Sequence, residues 1–262
     1  MLRTEHDPRG IATLTLDRPA QRNALSAELV RQLTDALAAL ATDPAVRIVL
    51  LKGAGEGFCA GADIGEMRAA GAASQETNEA DSRRFATLLA RLEAQPQPTV
   101  AVVHGAAYGG AIGLIAACDI VIAGESARFA LSEVRLGLIP AMISPYVIRA
   151  LGTRQARRWM LTGEAMDAAT ALRIGLVHET VADAALREAV ATMTSALLAG
   201  GPFAQTEIKQ LLRHVTGRGE SADAAMLADT ARWIARIRAG DEGREGLTAF
   251  LERRKPRWLR GE

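Results

Sequence analysis

An α/β fold with a helical carboxy-terminal part is the class this chain predicts, on three observations. Apolar runs that alternate or are rich in β-branched residues recur through its first half: IATLTL (11–16), VRIVLLKG (46–53), TVAVV (99–103) and DIVIA (119–123). Segments of helical period stand between them, and strands alternating with helices favour a layered sheet. Beyond residue 131 the pattern turns mostly helical.

The elements follow in order. Residues 11–16 alternate as a half-buried strand does, and the polar stretch DRPAQRNAL comes next. Ser26 suits the N-cap of a helix whose apolar face is Leu29, Leu33, Leu37 and Leu40. Asp43-Pro44 stops that helix, and residues 46–53 read as a buried strand. Residues 65–80, rich in Ala, Gly, Ser and Glu, predict a loosely packed or mobile segment. A helix over 82–92 precedes Pro96-Gln97-Pro98. TVAVV, a glycine-rich turn, a helix running to Cys118 and DIVIA form one compact unit. The segments GTRQARRWMLTG, DAATALRIG and the long amphipathic stretches between 183 and 252 supply the later helices, with no internal repeat and no obvious linker.

Composition bounds the partners. In 262 residues, 31 Lys and Arg against 30 Asp and Glu give a net charge of +1, which argues against nucleic acid or a membrane surface as a strongly electrostatic partner. The stretch MLRTEHDPRG lacks the apolar core of a signal peptide, and no apolar run reaches the roughly 18 residues of a membrane helix. A soluble, cytoplasmic protein is the expectation, with Cys59 and Cys118 as free buried thiols. His6, His104, His178 and His214 show no metal-ligand spacing and neither cysteine sits in a CxxC pair, so no metal is expected. His104, at the end of an apolar strand, reads as a core residue. Phosphate-loop and nucleophile-elbow patterns are missing from the sequence.

Two glycine-rich turns remain. GEGFCA (55–60) fits the GxGxxA of a dinucleotide fingerprint after a strand, but the segment behind it is a poor crossover helix. A different reading joins residues 58–63 with Tyr108-Gly109-Gly110. Each turn follows a strand and can expose a backbone N–H, the second at a helix N-terminus where the dipole favours negative charge. Two such groups converging on a carbonyl oxygen make an oxyanion hole, and glycine lets a substrate reach the backbone. Tight helix-on-strand packing also favours small residues, so spacing alone leaves both readings open.

The ordered motifs DRPAQRNALS, GFCAGADIGEM, HGAAYGGAIGLIAACDI, FALSEVRLGLIP, LGTRQARRWMLTGEAMDAATALRIGLV and EGLTAFLERRKPRW resemble the crotonase, or enoyl-CoA hydratase/isomerase, family over nearly the whole chain. The resemblance implies a spiral of ββα turns over residues 1–195 and a helical trimerisation region over 196–262, working as one unit in a homotrimer or hexamer. It assigns the oxyanion-hole amides to Ala62 and Gly110, beside Gly109, gripping the thioester carbonyl of an acyl-CoA. It places Arg22, Ala24 and Leu25 at the nucleotide part of CoA, and Ala60, Asp63 and Ile64 along adenine and pantetheine. Phe250, Arg253 and Lys255 match a stretch that approaches the CoA phosphates, in some members from a neighbouring subunit; on their own residues the two cations read equally well as solvated surface charges. Coenzyme A enters as part of the substrate, with no separate cofactor.

The acid–base residues depart from the pattern. Well-studied hydratases hold two glutamates; Glu133 matches the second place and Gly113 stands in the first. Apart from the resemblance, Glu133 would read as a capping or surface-paired residue. Within it, Glu133 is the single general acid/base. Hydration of an α,β-unsaturated acyl-CoA, in appearance nearest a branched, methylglutaconyl-type substrate, is the favoured activity. Double-bond isomerisation by one glutamate is the alternative, and a non-catalytic CoA-thioester binder, scaffold or RNA-binding member is the third reading. A substrate with a distal carboxylate needs a cation, for which Arg135 and Arg149 are candidates.

Overall fold

Strand β1 (Leu2–Asp7) pairs antiparallel with β2 (Ile11–Leu16) at one edge of a six-stranded sheet in the computed structural model, which describes residues 1–217 and 224–259. Helix α1 (Ala27–Thr42) leads to β3 (Ile48–Gly53), then α2 (Ile64–Gly71), α3 (Gln75–Ala94), β4 (Thr99–Val103) and the short β5 (Ala106–Tyr108). Helix α4 (Gly110–Ala117) returns the chain to β6 (Ile120–Gly124) and β7 (Arg128–Ala130). A 3-10 turn (Ser132–Leu136), α5 (Ser144–Thr162), β8 (Ala165–Asp167), α6 (Ala168–Arg173), β9 (Glu179–Val181) and α7 (Leu186–Ala199) follow. The carboxy-terminal helices are α8 (Pro202–Thr216), α9 (Ala224–Ala239) and α10 (Asp241–Leu251).

The large sheet has the order β1-β2-β3-β4-β6-β9, parallel from β2 onward, and β5-β7-β8 form a second, smaller sheet. The chain lays β4 in the large sheet and β5 in the small one before α4, then repeats with β6 and β7 before the helical stretch. The loop after β3 joins the scheme through a bridge from Cys59 to Ala107. This is the expected spiral of ββα turns.

Burial explains why the elements take these forms. On α1, Leu29, Leu33, Leu37 and Leu40 are buried, and the Ser26 hydroxyl accepts a hydrogen bond from Leu29 N as the predicted N-cap. One side of the large sheet packs with α1, α3, α4 and α5 in the main core; on its other side Ile11, Ile48, Val100 and Ile122 meet Val190, Met193 and Leu197 of α7. Each fully buried leucine of this kind contributes roughly 1.5–3 kcal/mol. Helix α7 thus belongs to the sheet, and the expected boundary at 195/196 falls inside it; the chain leaves the spiral at Gly200-Gly201. The edge strand β1 carries no apolar alternation, because LRTEHD is held by backbone pairing on one side and is mostly exposed.

Residues 65–80, expected to be loosely packed or mobile, are largely helical. Local chemistry supplies what burial does not. Asp63 Oδ1 accepts from Gly65 N and Glu66 N at the start of α2, and Ser74 Oγ accepts from Thr77 N at the start of α3. Most of these side chains stay exposed, as the composition implies. Cys59 and Cys118 are free and buried, and burial pushes both thiols up to about 12. No helix among the described residues is long and apolar enough to cross a membrane.

The carboxy-terminal helices clamp the starting ends of the parallel strands. Lys209 Nζ of α8 donates to Asp119 Oδ2 at 2.6 Å and to Gln97 O at 3.1 Å, and Asp119 Oδ2 also accepts from Thr99 N. Arg47, just before β3, donates to Gly200 O at 2.8 Å and Trp258 O at 3.3 Å. The glycine-rich loops leave the opposite strand ends, roughly 15–20 Å away for strands of this length.

Candidate active site

Two loops meet first. Asn23, in a left-handed conformation at φ 57° and only 1 % exposed, donates through Nδ2 to the carbonyls of Ala54, Gly57 and Phe58 and accepts from Arg18 N. Asparagine tolerates this backbone region better than most residues. The neighbours of Asn23 then run alongside the loop after β3: Ala60 N donates to Arg22 O, Leu25 N to Gly61 O and Asp63 N to Leu25 O. The amide of Ala62 falls between these rungs and has no backbone partner among the described residues.

The second loop closes on the first. Gly61 has φ +92°, and a Cβ there would stand 2.6 Å from Tyr108 O and 3.6 Å from Gly110 N. Glycine is required, because any side chain would hold these backbones apart. Tyr108 N donates to Cys59 O, and Gly109 N to Ala130 O. Gly109 takes φ 52°, ψ −120° as the N-cap of α4 and supplies no capping side chain. The Gly110 N–H is therefore one of the unshared donors of a helix N-terminus, and it too has no backbone partner among the described residues. Residues 55–60 run beside β5 instead of turning into a crossover helix, which removes the dinucleotide reading. His104, half-buried, lies with Nε2 at 2.8 Å from Gly55 O.

Glu133 faces this junction from the 3-10 turn after β7. Its Oε1 lies 3.3 Å from the position a Cβ on Gly109 would take. Its Oε2 is buried and has no hydrogen-bond partner among the described residues. Burial raises the Glu133 carboxyl above its ordinary value, partly offset by a hydrogen bond from its own backbone. The capping and surface-paired readings both fail, since among the described residues neither oxygen accepts from another residue's N–H or meets a cation.

Gly113 does not leave a gap. A Cβ there would stand 2.9 Å from Ile143 Cβ, with Ile143 Cγ2 closer still, and 3.5 Å from Leu89 Cδ1. Ile143, 2 % exposed, fills the space a side chain at 113 would need. Over Gly110 the corresponding neighbours are Leu25 Cδ1 and Phe85 Cζ, each at 3.3 Å. Asn23, Phe85 and Ile143 are the residues that sequence reasoning missed. Only the left-handed asparagine in DRPAQRNALS had a local signal; the other two reach the site through tertiary packing.

The remaining expected residues divide. Ala24 and Leu25 are buried beside the junction, Arg22 and Ala62 are exposed, and Ala60 is half-buried. Asp63 caps α2 and lies 3.4 Å from the Arg18 guanidinium, so its carboxylate is committed to the fold. Ile64 points out, 63 % exposed. Phe250, Arg253 and Lys255 are exposed and belong to the segment anchored near Arg47, so one chain does not bring them to the loops around Gly110. Arg149 is paired with Glu93, and Arg135 Nε leans to 3.3 Å from where a Cβ on Gly163 would stand. Neither arginine is directed at Glu133. Among the described residues no cluster of three or more His, Cys, Asp or Glu side chains is arranged to hold a metal.

Two unshared amides beside a carboxylate withdrawn from water define a site that can stabilise charge on a carbonyl oxygen and move a proton next to it. A family model described as Enoyl-CoA hydratase/isomerase matches residues 6–261, and the chain belongs to that family of enzymes. Among solved structures, an enoyl-CoA hydratase from Shewanella pealeana superposes with a TM-score of 0.94 at 42 % identity, covering 98 % of this chain and 95 % of that one. AtuE of Pseudomonas aeruginosa gives 0.93 at 41 % identity, covering 99 % of both chains. The 2,3-dehydroadipyl-CoA hydratase of Escherichia coli is 36 % identical over 247 residues, 94 % of each chain.

Proposed function

We propose that this enzyme hydrates α,β-unsaturated acyl-CoA thioesters with Glu133 as its single proton-transferring carboxylate. The observation that carries the reading is the placement of the Glu133 carboxyl against Gly109, next to the unshared Gly110 amide and the Gly61-Ala62 turn. In this account the thioester oxygen accepts hydrogen bonds from Ala62 N and Gly110 N. The water oxygen bonds to C3 as one of its O–H bonds breaks and Glu133 takes that proton, the π electrons move toward the carbonyl as an enolate, and the protonated Glu133 then gives the proton to C2 as the carbonyl re-forms. The raised pKa of the Glu133 carboxyl suits both tasks.

One observation favours a second reading. With Ile143 filling the place beside Gly113, no second carboxylate among the described residues stands beside that position, and a single glutamate suffices to carry a proton between C4 and C2 in a double-bond isomerase. Loss of the conjugated absorbance of crotonyl-CoA, run beside chromatography of the products from a 3-enoyl-CoA, separates the two. Hydration faster than double-bond migration is the expected result. Migration without hydration would favour the isomerase, and neither activity with retained CoA-thioester binding would leave a binder.

We further propose assembly into a trimer or hexamer, in which Phe250, Arg253 and Lys255 approach the CoA of a neighbouring copy. Exposed Phe203, Leu212, Leu247 and Phe250 on α8 and α10 support that assembly. Sedimentation velocity tests it: a monomer at micromolar concentration would overturn it.

A further inference from the structure

We infer that, on the acyl-CoA reading above, Arg18 is a positioning residue that aims and polarises the Ala62 amide through two peptide groups. The two amides of the site are backed differently. The Gly110 N–H belongs to the peptide of Gly109, whose carbonyl accepts from Ile112 N, so it shares the N-terminal field of α4. Ala62 precedes α2, whose first N–H groups turn to the Asp63 carboxylate, so its N–H is backed from elsewhere.

A planar trans peptide points its C=O and N–H in opposite directions, so a hydrogen bond to one fixes where the other aims. The carbonyl joined to Ala62 N is that of Gly61, and it accepts from Leu25 N at 2.8 Å. The Ala62 N–H is thereby turned away from Leu25, to the side where Tyr108 pairs with Cys59 and Gly110 N stands near Gly61. The carbonyl joined to Leu25 N is that of Ala24, and Arg18 Nη1 donates to it at 2.7 Å. The guanidinium, the Ala24-Leu25 peptide and the Gly61-Ala62 peptide thus form one head-to-tail series that begins at a cation and ends at the Ala62 N–H. Each bond in such a series strengthens the next by about 10–30 %, and exclusion of water adds to the effect. Ala24 and Leu25 are buried, and the Arg18 side chain is 13 % exposed. Arg18 is itself fixed, its N–H donating to Asn23 Oδ1 and its carbonyl accepting from Asn23 N. The Asp63 carboxylate, 3.4 Å from the guanidinium, opposes the effect by drawing on the same charge.

Charge builds on the thioester oxygen in the enolate, so weakening this donor should lower kcat more than affinity. Arg18→Met should reduce kcat on the order of 10-fold, short of the roughly 10²–10³-fold of losing an oxyanion donor outright, with butyryl-CoA affinity within a few-fold of the parent. Difference infrared spectroscopy of butyryl-CoA, isotope-labelled at the thioester carbonyl, reads the amides without turnover. The carbonyl stretch should fall on binding to the parent, fall less in Arg18→Met, and recover part of the difference in Arg18→Lys, which keeps a cationic donor. Asp63→Asn still caps α2 but removes the competing anion, and should leave the shift at least as large as in the parent. A smaller shift than the parent's in Asp63→Asn would make the pair a plain brace and overturn the inference, even if Arg18→Met does not fold. An unchanged shift and kcat in Arg18→Met would overturn it too, while leaving the oxyanion hole in place. If the bound thioester shows no shift in the parent, the oxyanion-hole reading fails first, and the inference with it.

Discussion

Replacing Gly113 by alanine in the middle of α4 exchanges a poor helix former for the best one, a gain of up to about 1 kcal/mol in an open helix. The structure reverses the sign. The new methyl would stand 2.9 Å from Ile143 Cβ, with Cγ2 nearer, and 3.5 Å from Leu89 Cδ1. Ile143 is β-branched and buried, so it has little room to turn away, and overpacking of this kind costs about 1–3 kcal/mol. Gly113→Ala should therefore destabilise by about 1–2 kcal/mol net. In an Ile143→Ala background, itself about 2–5 kcal/mol less stable, the same change should be neutral or stabilising, because the obstruction is gone and the methyl fills part of the cavity. Urea denaturation of the four proteins of this cycle measures the coupling. A stabilising Gly113→Ala in the unaltered protein, or an equal cost in both backgrounds, would refute the packing argument.

Glu133→Gln tests the electrostatics through stability. The folded-state pKa is raised by burial, so the contribution of Glu133 to stability is present below its unfolded pKa and lost as pH rises through the folded one. The variant's melting temperature should rise relative to the parent as pH goes from about 4 to 8; a constant difference would contradict the assignment. Asn23→Ala removes four hydrogen bonds at a left-handed position and should cost about 2–4 kcal/mol in denaturant titration. A loss below about 1 kcal/mol would show that the two loops do not depend on it.

How much of this was legible in the sequence depended on the range of the interactions involved. The buried face of α1 and the Ser26 cap repeat at helical spacing within one segment, so periodicity revealed them. The strands IATLTL and TVAVV were equally local. Strand β1 was hidden because an exposed edge needs backbone pairing and no apolar pattern. The exposed turns of α2 and α3 were hidden because capping by Asp63 and Ser74 organises them with little burial. At the site, Gly109 and Gly110 were conspicuous as glycines at a helix start. The family resemblance pointed to Gly113 as a missing acid, but nothing local marks Ile143, thirty residues away, as its complement. The CoA-directed expectation for Asp63 meets a side chain already engaged in capping, a use that its place before IGEM allowed all along.

The measurement that bears most directly on the central claim is turnover by Glu133→Gln alongside binding of a saturated acyl-CoA. With Glu133 as the single proton-transferring group, kcat should fall by at least about 10²-fold. Affinity for the saturated thioester should stay within a few-fold of the parent, because the amides of Ala62 and Gly110 are untouched. Turnover near that of the parent enzyme would contradict the account.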